Sequence, residues 1–108
     1  KFIVCGDMLE LGESAKRAHQ EVGEQIADVQ PEAVLLFGDH AVDIEWGLRF
    51  KGFQKKIVLS NTYEEKLATS FGAVLQTGDV VLIKGSRGMK LERVIENWHP
   101  QNFGKNAK

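Results

Sequence analysis

With one cysteine, Cys5, the chain can form no internal disulfide, so whatever holds it together is noncovalent. Cys5 closes an apolar run, which suits a buried, inert thiol and makes it a poor nucleophile. Long hydrophobic runs are missing too: none approaches the roughly 20 residues of a membrane-spanning helix. The N-terminus lacks the charged-then-apolar layout of a secretory leader. There are only two prolines, Pro31 and Pro100, and each stands where a helical pattern stops. Nucleotide motifs are absent as well. No Gly-x-Gly-x-x-Gly follows the first apolar run, whose loop has glycines only at 6 and 12, and no Gly-x-x-x-x-Gly-Lys-Ser/Thr occurs anywhere. His19, His40 and His99 are far apart and have no zinc-ligand spacing. Ser86 has no Gly-x-Ser-x-Gly setting, which argues against a hydrolase nucleophile.

What remains is the composition of an ordinary soluble domain, with 43% hydrophobic and 27% charged residues in 108. One modest core is what such a length can bury. The net charge of −1 hides a segregation: residues 1–50 hold 4 Lys/Arg against 10 Asp/Glu, and residues 51–108 hold 10 against 5. The cations of the second half are scattered, with no basic run and no interleaved aromatics, so nucleic-acid binding is not expected.

Apolar runs alternate with helical periods four times. Phe2 to Cys5, ended by Gly6, has the form of a strand buried on both faces. Ser14 can cap a helix over 14–29 whose apolar positions are Ala15, Ala18, Val22 and Ile26; His19 lies beside that face and reads as structural. Ala33 to Phe37 is a second strand. Asp39 offers an N-cap for a second helix, in which Ala41, Ile44 and Leu48, or else Val42, Trp46 and Phe50, form the buried face. Gly47 weakens that helix and Gly52 terminates it. Lys56 to Leu59 is a short third strand near an edge. Thr62 and Glu65 have capping-box spacing before a helix striped by Leu67, Phe71, Val74 and Leu75 and closed by Gly78. Residues 79–84 form a fourth strand. A last helix carries Leu91, Val94, Ile95 and Trp98, and residues 100–108 are a polar tail. The fold class expected is α/β: a three-layer domain over 1–99, with a mostly parallel sheet of about four strands and helices on both faces.

In such a sheet the loops after the strands gather at one edge, where ligands bind. Two of these loops carry candidate chemistry. Lys84-Gly85-Ser86-Arg87-Gly88-Met89 joins a strand to a helix, so helix N–H groups beside Lys84, Ser86 and Arg87 can receive an anion; equally, the glycines make a tight turn with solvated cations. Asp7 and Glu10, between Gly6 and Gly12, can bind a metal, a ribose or an amine, act as a general base, or stand solvated. Gly85 to Gly88 also matches the Gly-x-x-Gly clamp of a KH domain, but the order of strands and helices is wrong for that fold. From the residues alone this is the binding half of a site, without a complete catalytic apparatus.

Taken together, Gly6-Asp7-Met8-Leu9-Glu10-Leu11-Gly12 after the first strand, His19 and Gly23 in the next helix, and Lys84 to Glu92 after the last strand resemble the C-terminal domain of the Mur ligases. The resemblance is to the members that add D-alanyl-D-alanine to a UDP-N-acetylmuramoyl-tripeptide. It implies a Rossmann-like domain of a cytoplasmic ATP-dependent amide ligase of peptidoglycan synthesis. A central domain binds ATP and Mg2+ and activates the precursor's carboxylate as an acyl phosphate, which the acceptor's amine then attacks.

On that resemblance Lys84, Gly85, Ser86 and Arg87 bind the acceptor's carboxylate, Arg87 alternatively reaching a phosphate, and Asp7 and Glu10 are acids facing the interdomain cleft. It further implies that the N-terminal and central domains, and this domain's own first strand and helix, precede Lys1, and that the fragment alone is inactive and holds no metal. Two alternatives stay open: the same domain of another Mur ligase, or a non-catalytic anion- or nucleotide-binding module.

Overall fold

Among the described residues, three helices and four strands follow one another as the apolar patterning predicts. The computed structural model describes residues 1–8, 12–76 and 78–85. Glu10, Ser86, Arg87, the expected last helix and the polar tail lie outside the described residues. Strand β1 spans Phe2–Cys5, α1 Ala15–Val29, β2 Ala33–Phe37, α2 Ala41–Phe50, β3 Lys56–Ser60, α3 Glu65–Ala73 and β4 Val81–Lys84, with a 3-10 turn, Gly12–Ser14, leading into α1. The sheet has the order β3-β2-β1-β4, and every pair is parallel. This is a Rossmann-like α/β arrangement, and β3 lies at an edge, as its shortness predicts.

The alternation of side chains along each strand divides the core in two. Ile3, Cys5, Val34 and Leu36 pack with Ile26, Ala41, Ile44 and Leu48 from α1 and α2. Val4, Leu35 and Phe37 pack with Ala68, Phe71 and Leu75 on the α3 side. Covered on both faces, β2 is buried along its whole length. Each fully buried Leu, Ile or Phe contributes roughly 1.5–3 kcal/mol from lost apolar hydration, which is why the central strands are unbroken apolar runs. The ambiguity in α2 resolves in favour of Ala41, Ile44 and Leu48; Val42, Trp46 and Phe50 are exposed.

Several local expectations are corrected. α3 begins at Glu65, so Glu65 is its first residue rather than the third that a capping box with Thr62 requires, and the N-cap is Glu64 without a side-chain cap bond. The Ser60 hydroxyl instead donates to Glu64 Oε2 at 2.8 Å and accepts the Thr62 N–H at 3.3 Å, tying the turn from the strand side. Gly78 does not close this helix, which ends at Ala73 with Val74 as C-cap, and Val74 is exposed. Ser14 is the N-cap of α1 by position but makes no side-chain bond there. Strand β4 starts at Val81, two residues later than its apolar lead-in suggests.

The central position of β1 determines the state of its cysteine. Burial pushes the Cys5 thiol from its ordinary 9.0 to about 11, with Lys84 partly opposing the rise and Asp7 adding to it. Between those values the unfolded chain releases the thiol proton and the folded chain keeps it, so stability falls as pH rises through that window. The expected loss by pH 10.5 is about 2 kcal/mol, measured as a drop in urea midpoint that a Cys5→Ala variant does not share. At pH 8 the folded thiol is expected to resist thiol reagents until the chain unfolds.

Candidate functional site

The parallel register brings the four strand ends to one edge. Cys5 is level with Leu36 and with Lys84, and Phe37 is level with Ser60. Hydrogen bonds continue past the strands: Gly6 N–H donates to the Lys84 carbonyl at 2.8 Å, and Gly38 N–H to the Ser60 carbonyl at 2.9 Å. The loop after β1 therefore starts beside the end of β4, as the sequence predicts for the two loops with candidate chemistry. Lys84 and Gly85 are exposed at that junction.

Asp7 is 7% exposed and its carboxylate is fully engaged. Oδ2 accepts the Asp39 N–H and Oδ1 the His40 N–H, each at 2.9 Å. These are N–H groups at the start of α2, which helical bonding cannot satisfy. Asp39, expected to cap this helix, does not: the N-cap is His40, without a side-chain cap bond, and Asp7 supplies the acceptor from 32 residues away. Gly38 makes room for it. Its φ is +122°, and a Cβ there would lie 2.4 Å from Asp7 Oδ1. The N-terminus of α2, an ordinary place for an anion, is already filled by a carboxylate of the chain itself.

Two histidines complete this side of the edge. His19 is fully buried, its ring stacked on that of His40 with centroids 4.3 Å apart. His40 Nδ1 lies 2.8 Å from Asp43 Oδ2. His19 Nε2 accepts the Met8 N–H at 3.0 Å, and Nδ1 faces the Ala15 carbonyl at 2.6 Å. The sequence marks His19 as structural, but it gives no sign of the stack or of Asp43. The available signal was the Gly38-Asp39-His40 helix start, whose N–H groups need an acceptor that no nearby residue supplies.

Among the described residues, no group of three or more His, Cys, Asp or Glu side chains is placed to hold a metal ion, and no helix is long and apolar enough to cross a membrane.

Compared with known protein families, residues 1–87 match the Mur ligase, glutamate ligase domain. The chain belongs to the Mur ligase family. It is 35% identical over 97 residues to the UDP-N-acetylmuramoyl-tripeptide–D-alanyl-D-alanine ligase of Bacillus subtilis (strain 168), a match covering 90% of this chain and 21% of that protein. The enzyme of the same name from Treponema pallidum (strain Nichols) is 39% identical over 100 residues, with 87% of this chain and 20% of that protein covered. Among solved structures, the MurF ligase from Thermotoga maritima in complex with ADP superposes with a TM-score of 0.70 at 32% identity, covering 99% of this chain and 23% of that one. The chain thus spans about a fifth of the length of these relatives. Within this Mur ligase domain, the first-strand loop and the end of β4 that carry the resemblance are neighbours in space, joined by the Gly6–Lys84 hydrogen bond.

Proposed function

We propose that this domain binds and orients the acceptor for a cytoplasmic ATP-dependent amide ligase that joins D-alanyl-D-alanine to a UDP-N-acetylmuramoyl-tripeptide in peptidoglycan synthesis. One observation carries the reading of the site. The helix start after β2 is occupied by Asp7, whereas Lys84 stands exposed at the end of β4, where the sequence pattern expects the anion-binding turn. D-Alanyl-D-alanine has a carboxylate at one end and a nucleophilic amine at the other. Lys84 grips the carboxylate, with Gly85, Ser86 and Arg87 as the further contacts, and the amine is left facing the activated precursor. Fixing that amine is an entropic contribution to catalysis.

Among the described residues no acidic cluster is placed to hold Mg2+, and the first N–H groups of α2 are taken by Asp7. ATP and Mg2+ belong with the N-terminal and central domains, and this domain alone ligates nothing. Asp7, given its two backbone bonds, acts by holding the loops after β1 and β2 together, and Glu10 is the acid left for the cleft.

Amide chemical-shift mapping tests the assignment. D-Alanyl-D-alanine is expected to perturb Gly6, Lys84 and Gly85 while leaving the α1 and α2 C-termini unmoved. Tight binding of adenine nucleotides with no response to the dipeptide would favour a nucleotide-binding module instead.

A further inference from the structure

The His19 ring joins the loop after β1 to the first turn of its own helix. Met8, at the start of that loop, donates its N–H to Nε2, and Ala15, the first residue of α1, presents its carbonyl to Nδ1. A backbone N–H can only donate, so Nε2 must be the unprotonated nitrogen and the proton sits on Nδ1, where it bonds the Ala15 carbonyl. The ring is thereby held in one tautomer. Its face lies on His40, whose ring is held by Asp43 and whose N–H is bound by Asp7, the residue before Met8. The contacts close a circuit: Asp7 to His40, His40 to His19, His19 to Met8, and Met8 back to Asp7 along the chain.

A buried histidine that merely filled space would not need Nε2 aimed at the Met8 N–H of the loop. From this circuit we infer that His19 is a positioning residue for the acceptor site: it ties Met8 in the loop after β1 to the first turn of α1 and so sets how that loop meets the end of β4, where Gly6 bonds Lys84. The inference rests on the acceptor-binding reading. Asp43 and His40 act behind it, fixing the surface on which the imidazole stacks.

Two variants separate positioning from packing. His19→Gln places an amide oxygen where Nε2 stands and keeps an acceptor for Met8; His19→Asn reaches only the Ala15 carbonyl and leaves the Met8 N–H unpaired. In the full-length ligase, His19→Asn is expected to raise KM for D-alanyl-D-alanine about tenfold, the size of one lost hydrogen bond, with KM for ATP unchanged, and His19→Gln to stay within about threefold of wild type. Hydrogen exchange at the Met8 amide is expected to quicken in the Asn variant and not in the Gln variant. If the two variants behave alike, or if Met8 exchange responds and KM does not, the inference is overturned. Failure of the acceptor reading itself shows separately, as the absence of any dipeptide-induced shift at Lys84 and Gly85 in the unmodified protein.

Discussion

Replacing Lys84 with alanine in the full-length ligase is expected to raise KM for D-alanyl-D-alanine by roughly 10- to 100-fold and to leave KM for ATP where it was. The size follows from the kind of contact. A hydrogen bond to a charged group contributes about 1.5–3 kcal/mol, and each 1.4 kcal/mol is a factor of ten in affinity. The selectivity follows from place: Lys84 ends β4, level with Cys5, at the junction of the two loops assigned to the acceptor. Its side chain is exposed, so the substitution is expected to change folding stability by no more than about 0.5 kcal/mol, and the kinetic loss is not a folding loss. Steady-state kinetics with each substrate varied in turn, beside a urea titration, checks both halves.

The largest expected effect on stability comes from a single methyl group between α1 and α2. A Cβ on Gly47 would lie 1.9 Å from the Gln20 carbonyl oxygen, and one on Gly23 would lie 2.0 Å from the Ile44 carbonyl oxygen. Both obstacles are backbone, which no rotamer change can move. Alanine favours a helix over glycine by about 1 kcal/mol, so an isolated α2 would gain from Gly47→Ala. Here the helices must separate, and Ile26, Ile44 and Leu48 lose their packing against the sheet. Overpacking costs about 1–3 kcal/mol and occasionally more, and a clash with backbone on both sides falls at the upper end; less the gain in helix propensity, the net expectation is a loss of about 2 kcal/mol or more, or roughly 8–16 °C in melting temperature. Gly52→Ala is the control. It has φ +87° but nothing within 4 Å of a Cβ, so only the backbone conformation is penalised, by about 1 kcal/mol.

The same glycine shows where sequence reading stops. As a residue in a helix, Gly47 signals weakness; only its pairing with Gly23 on another helix makes it a contact point. The phase of α2 was undecided for a related reason, since Val42, Trp46 and Phe50 repeat at helical spacing as well as Ala41, Ile44 and Leu48 do. Their sorting depends on how the helix meets the sheet. The strands were legible because β1 and β2 are buried on both faces and therefore apolar throughout.

At the candidate site, the sequence placed Asp7 and Lys84 at one edge, because parallel topology demands it. It could not tell that Asp7 caps α2, because the partner N–H groups lie 32 and 33 residues away. Local capping signals failed for that reason at Asp39, and at Thr62 because the helix begins two residues later than the spacing suggests. The His19 circuit was illegible too: a buried histidine beside an apolar stripe looks the same whether its nitrogens bond a loop or only fill space.

The most direct measurement of the account pairs Lys84 with the group it is held to bind. Ligation is followed with D-alanyl-D-alanine and with its C-terminal carboxamide, in the unmodified full-length ligase and in Lys84→Ala. If Lys84 grips the acceptor carboxylate, the unmodified enzyme loses about 10- to 100-fold in kcat/KM with the carboxamide, and the variant treats the two acceptors alike to within about threefold. Independent, fully additive penalties for the substitution and for the carboxamide would contradict it.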